Sequence, residues 1–109
     1  MSRPRHVNDI HIDGSHAELR VPWPGSLERV VPYQFDAEDV ERVQQHHWYA
    51  GRGGRLCTHV GAPRTTLYLS RHIMGAGADE RVQYVNGDCM DLRRKNLRVV
   101  PIDARRLPA

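Results

Sequence analysis

The stretch RVQYVNGDCMDLRRKNLR, from Arg81 to Arg98, decides which fold the sequence predicts. Its second half is basic, and the basic character continues over the residues that follow it. The cations of residues 91–109 are Arg93, Arg94, Lys95, Arg98, Arg105 and Arg106. Because a planar guanidinium group binds phosphate through paired hydrogen bonds, this cluster is a candidate nucleic-acid-binding surface. A solvated charged face is the alternative, since GC-rich coding also favours arginine.

The composition is that of one soluble globular domain spanning residues 1–109. Of the 109 residues, 39% are hydrophobic and 27% are charged, and the formal net charge is +3. These values exclude a wholly disordered chain, and the modest basicity permits nucleic-acid binding without requiring it. The sequence has no apolar run of membrane-spanning length and no secretory signal, so we expect no membrane association and a cytoplasmic location.

The N-terminal part predicts strands followed by a helix. Apolar and polar residues alternate on both sides of Asp13-Gly14, which indicates N-terminal strands over residues 9–35 that begin with a hairpin. Asp36 can cap a helix that we expect over residues 36–47, and Asp39 belongs to its acidic first turn. Strands followed by a helix favour the α+β class.

Two further elements are predicted before the quoted stretch. Residues 55–74 contain a hairpin that turns at Gly61-Ala62-Pro63 and a short helix, capped by Ser70 and ended by Gly75. The run Gly51–Gly54 resembles a phosphate-binding loop only loosely, because it lacks the lysine and the following helix. We expect this run to connect two strands of a hairpin instead.

Cysteine and histidine residues offer two arrangements that could bind a metal. Cys57 and His59 lie on one face of a predicted strand and, with Cys89, could hold a structural zinc ion. The alternative is that these residues bind no metal and are simply a buried cysteine beside a surface histidine. The pair His46-His47 could bind metal too, although histidines at a helix end commonly complement the helix dipole. We therefore assign no metal ligand.

The quoted stretch resembles the core of phage-type and homing HNH endonucleases, the His-Me finger family. Asn86-Gly87-Asp88 matches the family's tight turn, Asp91 begins its short helical turn, and Asn96-Leu97-Arg98 begins its second strand. The resemblance implies a ββα motif with strands near Val82–Val85 and Leu97–Val100.

The resemblance extends upstream over most of the chain. Leu69–Met74 is similar to the family's Leu-His/Ser-Arg-Leu-Ile-Met element, and Asp36–Tyr49 resembles the helix and tryptophan that precede the finger. It implies a small α+β domain with an N-terminal β-hairpin, a central helix and a degenerate finger over residues 81–109. The last helix of that finger must be short, because Pro108 ends it.

The catalytic positions that the resemblance implies carry unsuitable residues. Active relatives have an Asp-His pair that binds a divalent cation and deprotonates the attacking water, and Gln83 and Tyr84 stand there instead. An amide is a poor ligand for a hard cation, and a tyrosine with a pKa of about 10 is a weak base. Arg105 falls at or near the last metal ligand, where its charge would repel a cation. Asn96 matches the residue that orients the base, or it satisfies backbone groups at the junction of turn and strand.

Two residues offer a replacement for the lost chemistry. His72 could act as a displaced general base if its side chain points inward, although a base without a metal would give the leaving group little stabilisation. Tyr84 could act as a nucleophile, whereas packing behind the hairpin is the simpler expectation. We assign no catalytic residue.

Three functions are consistent with these features. We prefer an HNH-endonuclease-like protein, phage-type and catalytically inactive, that binds DNA as a regulatory or accessory factor and needs no cofactor. The first alternative is a diverged but active DNA endonuclease, which would require Mg²⁺ or Zn²⁺. The second is a phage-type effector that binds a host or defence protein, with Trp23 as an exposed anchor unless it folds onto the hairpin. The finger lies too close to Ala109 for a C-terminal DNA-reading module, which argues against sequence-specific binding.

Overall fold

The computed structural model describes residues 8–23 and 28–102, and these form an α+β fold of small antiparallel sheets with few helical residues. The strands are β1 Asp9–Asp13, β2 His16–Pro22, β3 Val30–Asp36, β4 Tyr49–Ala50, β5 Leu56–Val60, β6 Thr65–Tyr68, β7 Glu80–Tyr84 and β8 Leu97–Pro101. The α-helices are α1 Val40–Val43 and α2 Leu69–Met74, and three 3₁₀ turns cover Ala37–Asp39, Arg52–Gly54 and Arg94–Asn96. Within these two ranges of the chain, every helix is too short or too polar to span a membrane. The predicted α+β class is confirmed.

The first sheet has the strand order β1-β2-β3 and supplies much of the core. Alternate side chains of β2 and β3 are buried, and the register sets Ala17 opposite Phe35 and Leu19 opposite Tyr33. The hairpin predicted around Asp13-Gly14 is confirmed, with Gly14 at a φ of 65° in the turn. Strict alternation of apolar and polar residues therefore predicts this sheet correctly.

The helix expected over residues 36–47 is much shorter than predicted. After the 3₁₀ turn, α1 ends at Val43, because the indole N–H of Trp48 donates to the carbonyl oxygen of Val43 at 2.7 Å. The side-chain amide of Asn8 exchanges two hydrogen bonds with the backbone of Trp48, at 2.7 and 2.8 Å. A buried tryptophan held from both sides thus turns the chain away from the helix.

The predicted cap of this helix is also wrong. Asp36 makes no side-chain hydrogen bond to the helix start, because its carboxylate accepts the backbone N–H of Arg94 at 2.9 Å. Asp39, expected in the acidic first turn of the helix, is fully buried and binds the Arg94 guanidinium. A partner distant in the sequence therefore takes both carboxylates away from their local role.

The second sheet has the order β4-β5-β6 and leads into α2. The run Gly51–Gly54 connects β4 to β5, and a turn at Gly61-Ala62-Pro63 connects β5 to β6, as predicted. Helix α2 begins at Leu69, so Ser70 lies inside the helix and is buried, and its predicted capping role is wrong. Gly75 ends α2 in the left-handed conformation at a φ of 64°, as expected.

Strands β7 and β8 form a two-stranded sheet at the positions that the sequence predicts, with Gln83 opposite Arg98. Their connection begins with a tight turn in which Gly87, at a φ of 78°, donates its N–H to the carbonyl of Tyr84 at 2.9 Å. The predicted third element of the ββα motif, and with it Arg105 and Arg106, lies outside the described residues.

The helical turn expected at Asp91 begins three residues later, at Arg94. Asp91 instead makes a bridge to Gln34 of β3, and the neighbouring Leu92 donates its N–H to the carbonyl of Gln34 at 2.7 Å. Pairing with β3 keeps this part of the connection extended and anchors the β7–β8 hairpin to the first sheet.

Candidate nucleic-acid interface

A cleft of about 260 Å³ is lined by Gln83 and Tyr84, the two positions at which the resemblance to HNH endonucleases would place the acid-base pair. It lies where β7 meets β6 and α2. Its lining residues are Arg55, Tyr68, Ser70, Arg71, Arg81, Val82, Gln83 and Tyr84. A larger groove of about 640 Å³, with a mostly apolar wall that includes Trp23 and Trp48, contains none of the predicted catalytic or phosphate-binding residues. We therefore consider the smaller cleft as the candidate site.

Gln83 and Tyr84 lie on opposite faces of β7. The side chain of Gln83 is exposed, whereas Tyr84 packs against the core, as the simpler expectation had it. Burial raises the pKa of Tyr84, although a hydrogen bond with Ser70 opposes the rise. The phenol therefore stays protonated at neutral pH, which suits neither a general base nor a nucleophile.

Three arginines give the cleft its charge. Arg71 is held by the backbone carbonyl oxygens of Ala76, Gly77 and Glu80. Arg55 lies over the ring of Tyr68 at 5.1 Å from its centroid, and Arg81 is exposed. No carboxylate or imidazole is among the described residues that line the cleft, so its charge is positive. The arrangement fits an anion, since guanidinium groups bind phosphate.

None of these three arginines was predicted from the sequence to belong to a functional site. Arg81 precedes the strand predicted near Val82–Val85, and it shares a face with Gln83 because β7 begins earlier, at Glu80. Arg55 and Arg71 carry no local signal of their placement. Only the packing of β5, β6 and α2 beside β7 brings them to the cleft.

The structure divides the predicted phosphate-binding cations into two groups. The Arg93 guanidinium binds both carboxylate oxygens of Asp91, at 2.7 and 2.6 Å, and these hydrogen bonds lower the pKa of Asp91. Arg94 binds Asp39 through two nitrogen atoms and also donates to the carbonyl of Ile73. Each of these two charges is therefore paired with an aspartate of the same chain.

Lys95 and Arg98 form the second group. Both side chains are exposed, and neither has an ion pair or a side-chain hydrogen bond with the residues that the structure describes. Arg98 lies directly across from Gln83 and extends the positive face beyond the cleft. These two predicted cations remain available to a phosphate group.

Asn96 is buried and bonded to the backbone on both sides of the connection between β7 and β8. Its Oδ1 accepts the N–H of Asn86 at 2.9 Å, and its Nδ2 donates to the carbonyl of Asp91 at 2.9 Å. The side-chain amide thus closes the loop that joins the two strands. This is the backbone role that the residue type predicts at such a junction.

His72 faces α1 and not the cleft. Its Nε2 lies 3.1 Å from the carbonyl oxygen of Arg42 and 2.8 Å from Oε1 of Gln45, and its ring contacts those of His46 and Trp48. Because the carbonyl of Arg42 can only accept, Nε2 carries a proton in the neutral ring. The structure thus places the candidate displaced base away from Gln83 and Tyr84.

We expect His72 to make the stability of the protein depend on pH. Burial and the neighbouring His46 lower the pKa of His72, so the unfolded chain takes up a proton more readily than the folded one. The free energy of unfolding should therefore fall as the pH drops from about 7 to about 5. Urea titrations at several pH values should show a smaller fall for His72→Gln, which does not titrate.

Asp91 supplies the internal control for that measurement. Its lowered pKa stabilises the fold above about pH 4, and protonation at lower pH removes the contribution. Wild type and His72→Gln should therefore lose stability alike below about pH 4. An unchanged slope between about pH 5 and 7 in His72→Gln would contradict the assignment to His72.

The residues that could bind a metal are otherwise occupied or apart. Asp36, Glu38 and Asp39 bring their carboxylates together, but the backbone and guanidinium of Arg94 already bind two of them. In the described part of the chain, Cys57, His59 and Cys89 form no common set of ligands. Cys57 is buried and His59 is exposed, which matches the alternative of a buried cysteine beside a surface histidine.

Trp23 is partly buried and contacts the core, with Arg29 over its ring at 5.7 Å. This placement is that of a turn tryptophan folded onto its neighbours.

Comparison of this chain with protein-family models, with curated proteins and with solved structures finds no match in any of the three.

Proposed function

We propose that this chain binds double-stranded DNA without cutting it, as an HNH-endonuclease-like accessory or regulatory protein. The observation that carries the proposal is the group of exposed cations around the cleft and on the adjoining hairpin, namely Arg55, Arg81 and Arg98. They surround the place where the resemblance puts the catalytic pair. A surface that holds the phosphate backbone can persist where the chemistry has been lost.

The charges of this surface support a polyanionic partner. Arg81 and Arg98 have no acidic partner among residues 8–23 and 28–102, whereas Arg93 and Arg94 are each bound to an aspartate. An unpaired surface cation keeps its full attraction for phosphate, and each phosphate contact releases a counterion from DNA.

The side chains at the two implied catalytic positions of the cleft support DNA binding without cleavage. A hydrolytic centre needs a base of suitable pKa and, in the family that the chain resembles, a carboxylate for the metal. Gln83 offers an amide, and Tyr84 offers a phenol whose pKa burial raises. Incubation of supercoiled plasmid with the protein and Mg²⁺, Mn²⁺ or Zn²⁺ should leave the plasmid intact, and metal-dependent nicking would overturn this part of the proposal.

Fluorescence anisotropy with a labelled duplex tests the binding itself. We expect the affinity to fall steeply with salt, and Arg55→Ala and Arg81→Ala each to reduce the salt slope by about 1. Arg20→Ala is the matched control, because it removes the same charge from an arginine that is paired with Glu18 at 2.9 Å on the first sheet. The slope of that variant should stay close to wild type.

Two outcomes would overturn the proposal. One is the absence of binding to duplex DNA even at low salt. The other is binding that Arg20→Ala weakens as much as Arg55→Ala and Arg81→Ala do, because the net charge alone would then explain the attraction.

A further inference from the structure

The outer face of the β7–β8 hairpin presents polar groups that can recognise bases. Arg81, Gln83 and Arg98 are exposed on this face, and the register sets Gln83 directly across from Arg98. The opposite face, with Val82, Tyr84 and Leu97, packs against the core. The packing thus fixes which side of the hairpin is turned outward.

The chemistry of these side chains matches base edges as well as phosphates. A glutamine amide has a donor and an acceptor, the pair that adenine presents at N6 and N7 in the major groove, and an arginine can bind O6 and N7 of guanine. Within the described ranges, Gln83 and Arg98 make no side-chain hydrogen bond or ion pair, so both remain free for a ligand. Phosphate binding alone would not need the neutral amide at the centre of the face.

The shape of the hairpin fits the same target. Among the described residues the sheet has two strands, and two neighbouring strands lie about 4.8 Å apart. The major groove of B-DNA, which is about 12 Å wide, admits a two-stranded ribbon. A side chain at the centre of its outer face then points at the base pairs, while cations beside the ribbon lie near the phosphates.

We propose that the β7–β8 hairpin inserts into the major groove and that Gln83 and Arg98 read base edges, so that binding is sequence-selective. This inference rests on the proposed function and deepens it, because it names the reading element. It departs from the sequence-based expectation of non-specific binding, which assumed that reading requires a further C-terminal module.

Selection of bound duplexes from a randomised pool, followed by sequencing, tests the inference. Wild-type protein should enrich a short motif with an adenine and a guanine at defined positions. Gln83→Ala should relax the preference at the adenine and Arg98→Ala at the guanine, each with a loss of roughly tenfold or more in discrimination. Lys95→Ala is the control, since an exposed cation at the turn before β8 should weaken binding to all sequences equally and leave the motif unchanged.

The outcomes separate the two proposals. Salt-dependent binding without an enriched motif, or with a motif that both Gln83→Ala and Arg98→Ala retain, overturns base reading and leaves DNA binding in place. A stronger affinity for duplex RNA than for DNA also overturns base reading, because the RNA major groove is too narrow for the ribbon. No binding to any duplex overturns the proposed function, and base reading with it.

Discussion

Replacing Arg94 with methionine is expected to lower the free energy of unfolding by about 3 kcal/mol. Asp39 is fully buried, and the Arg94 guanidinium binds its carboxylate at 2.8 and 3.0 Å. The variant would leave a buried negative charge without its main partner, since the remaining contact, from Arg42, is 3.4 Å long. We place the cost at the lower end for broken buried pairs, because the Arg94 side chain is 37% exposed and water can approach from that side.

The neighbouring residue supplies the matched control. Lys95 is exposed and unpaired among the described residues, so Lys95→Met should change the stability by no more than about 0.5 kcal/mol. Urea denaturation followed by circular dichroism would measure both variants. For a domain of this size, the Arg94→Met change corresponds to a fall in Tm of roughly 12–24 °C.

A second variant distinguishes the charge from the packing of the methylene chain. Adding Asp39→Asn to Arg94→Met removes the buried charge, so the double variant should recover part of the loss. Equal stability of Arg94→Met and Lys95→Met would show that the ion pair contributes nothing. A double variant less stable than Arg94→Met would show that the uncompensated carboxylate is not the cause.

Replacing Trp48 with alanine is expected to cost about 4 kcal/mol, the largest effect that we predict for one side chain. Trp48 is fully buried, is the largest such side chain in the described core, and ends α1 through its bond to the carbonyl of Val43. Alanine would leave a cavity and a buried carbonyl oxygen without its partner. Both defects add to the lost burial of the indole.

Phenylalanine at the same position separates the effect of the lost hydrogen bond from the effect of the lost apolar packing. Trp48→Phe keeps most of the apolar contact and loses the hydrogen bond, so we expect a cost of about 2 kcal/mol. Hydrogen exchange should show faster opening of the amides of Gln44 and Gln45, which close the end of α1. Protection of these amides at the wild-type level in Trp48→Phe would refute the role of the indole in ending the helix.

The candidate site could be predicted only in part from the sequence. The strands that carry Gln83 and Arg98 lie close to the bounds that the resemblance implies, near Val82–Val85 and Leu97–Val100. The availability of the cations does not follow from the sequence, because Arg93 and Arg94 look like Lys95 and Arg98 in a run of basic residues. Their aspartate partners distinguish them, and one of these, Asp39, lies 55 residues away in the chain.

The sequence by itself determined the strands of the first sheet, the hairpin turns and the end of α2. These depend on contacts between near neighbours, such as alternating side chains or a glycine at positive φ like Gly75 and Gly87. The tertiary structure decided the length of α1, the loss of its cap and the composition of the cleft. Each of these depends on a partner brought from elsewhere in the chain, Trp48 for the helix end, Arg94 for the cap and Arg55 for the cleft, and local propensity contains no information about such partners.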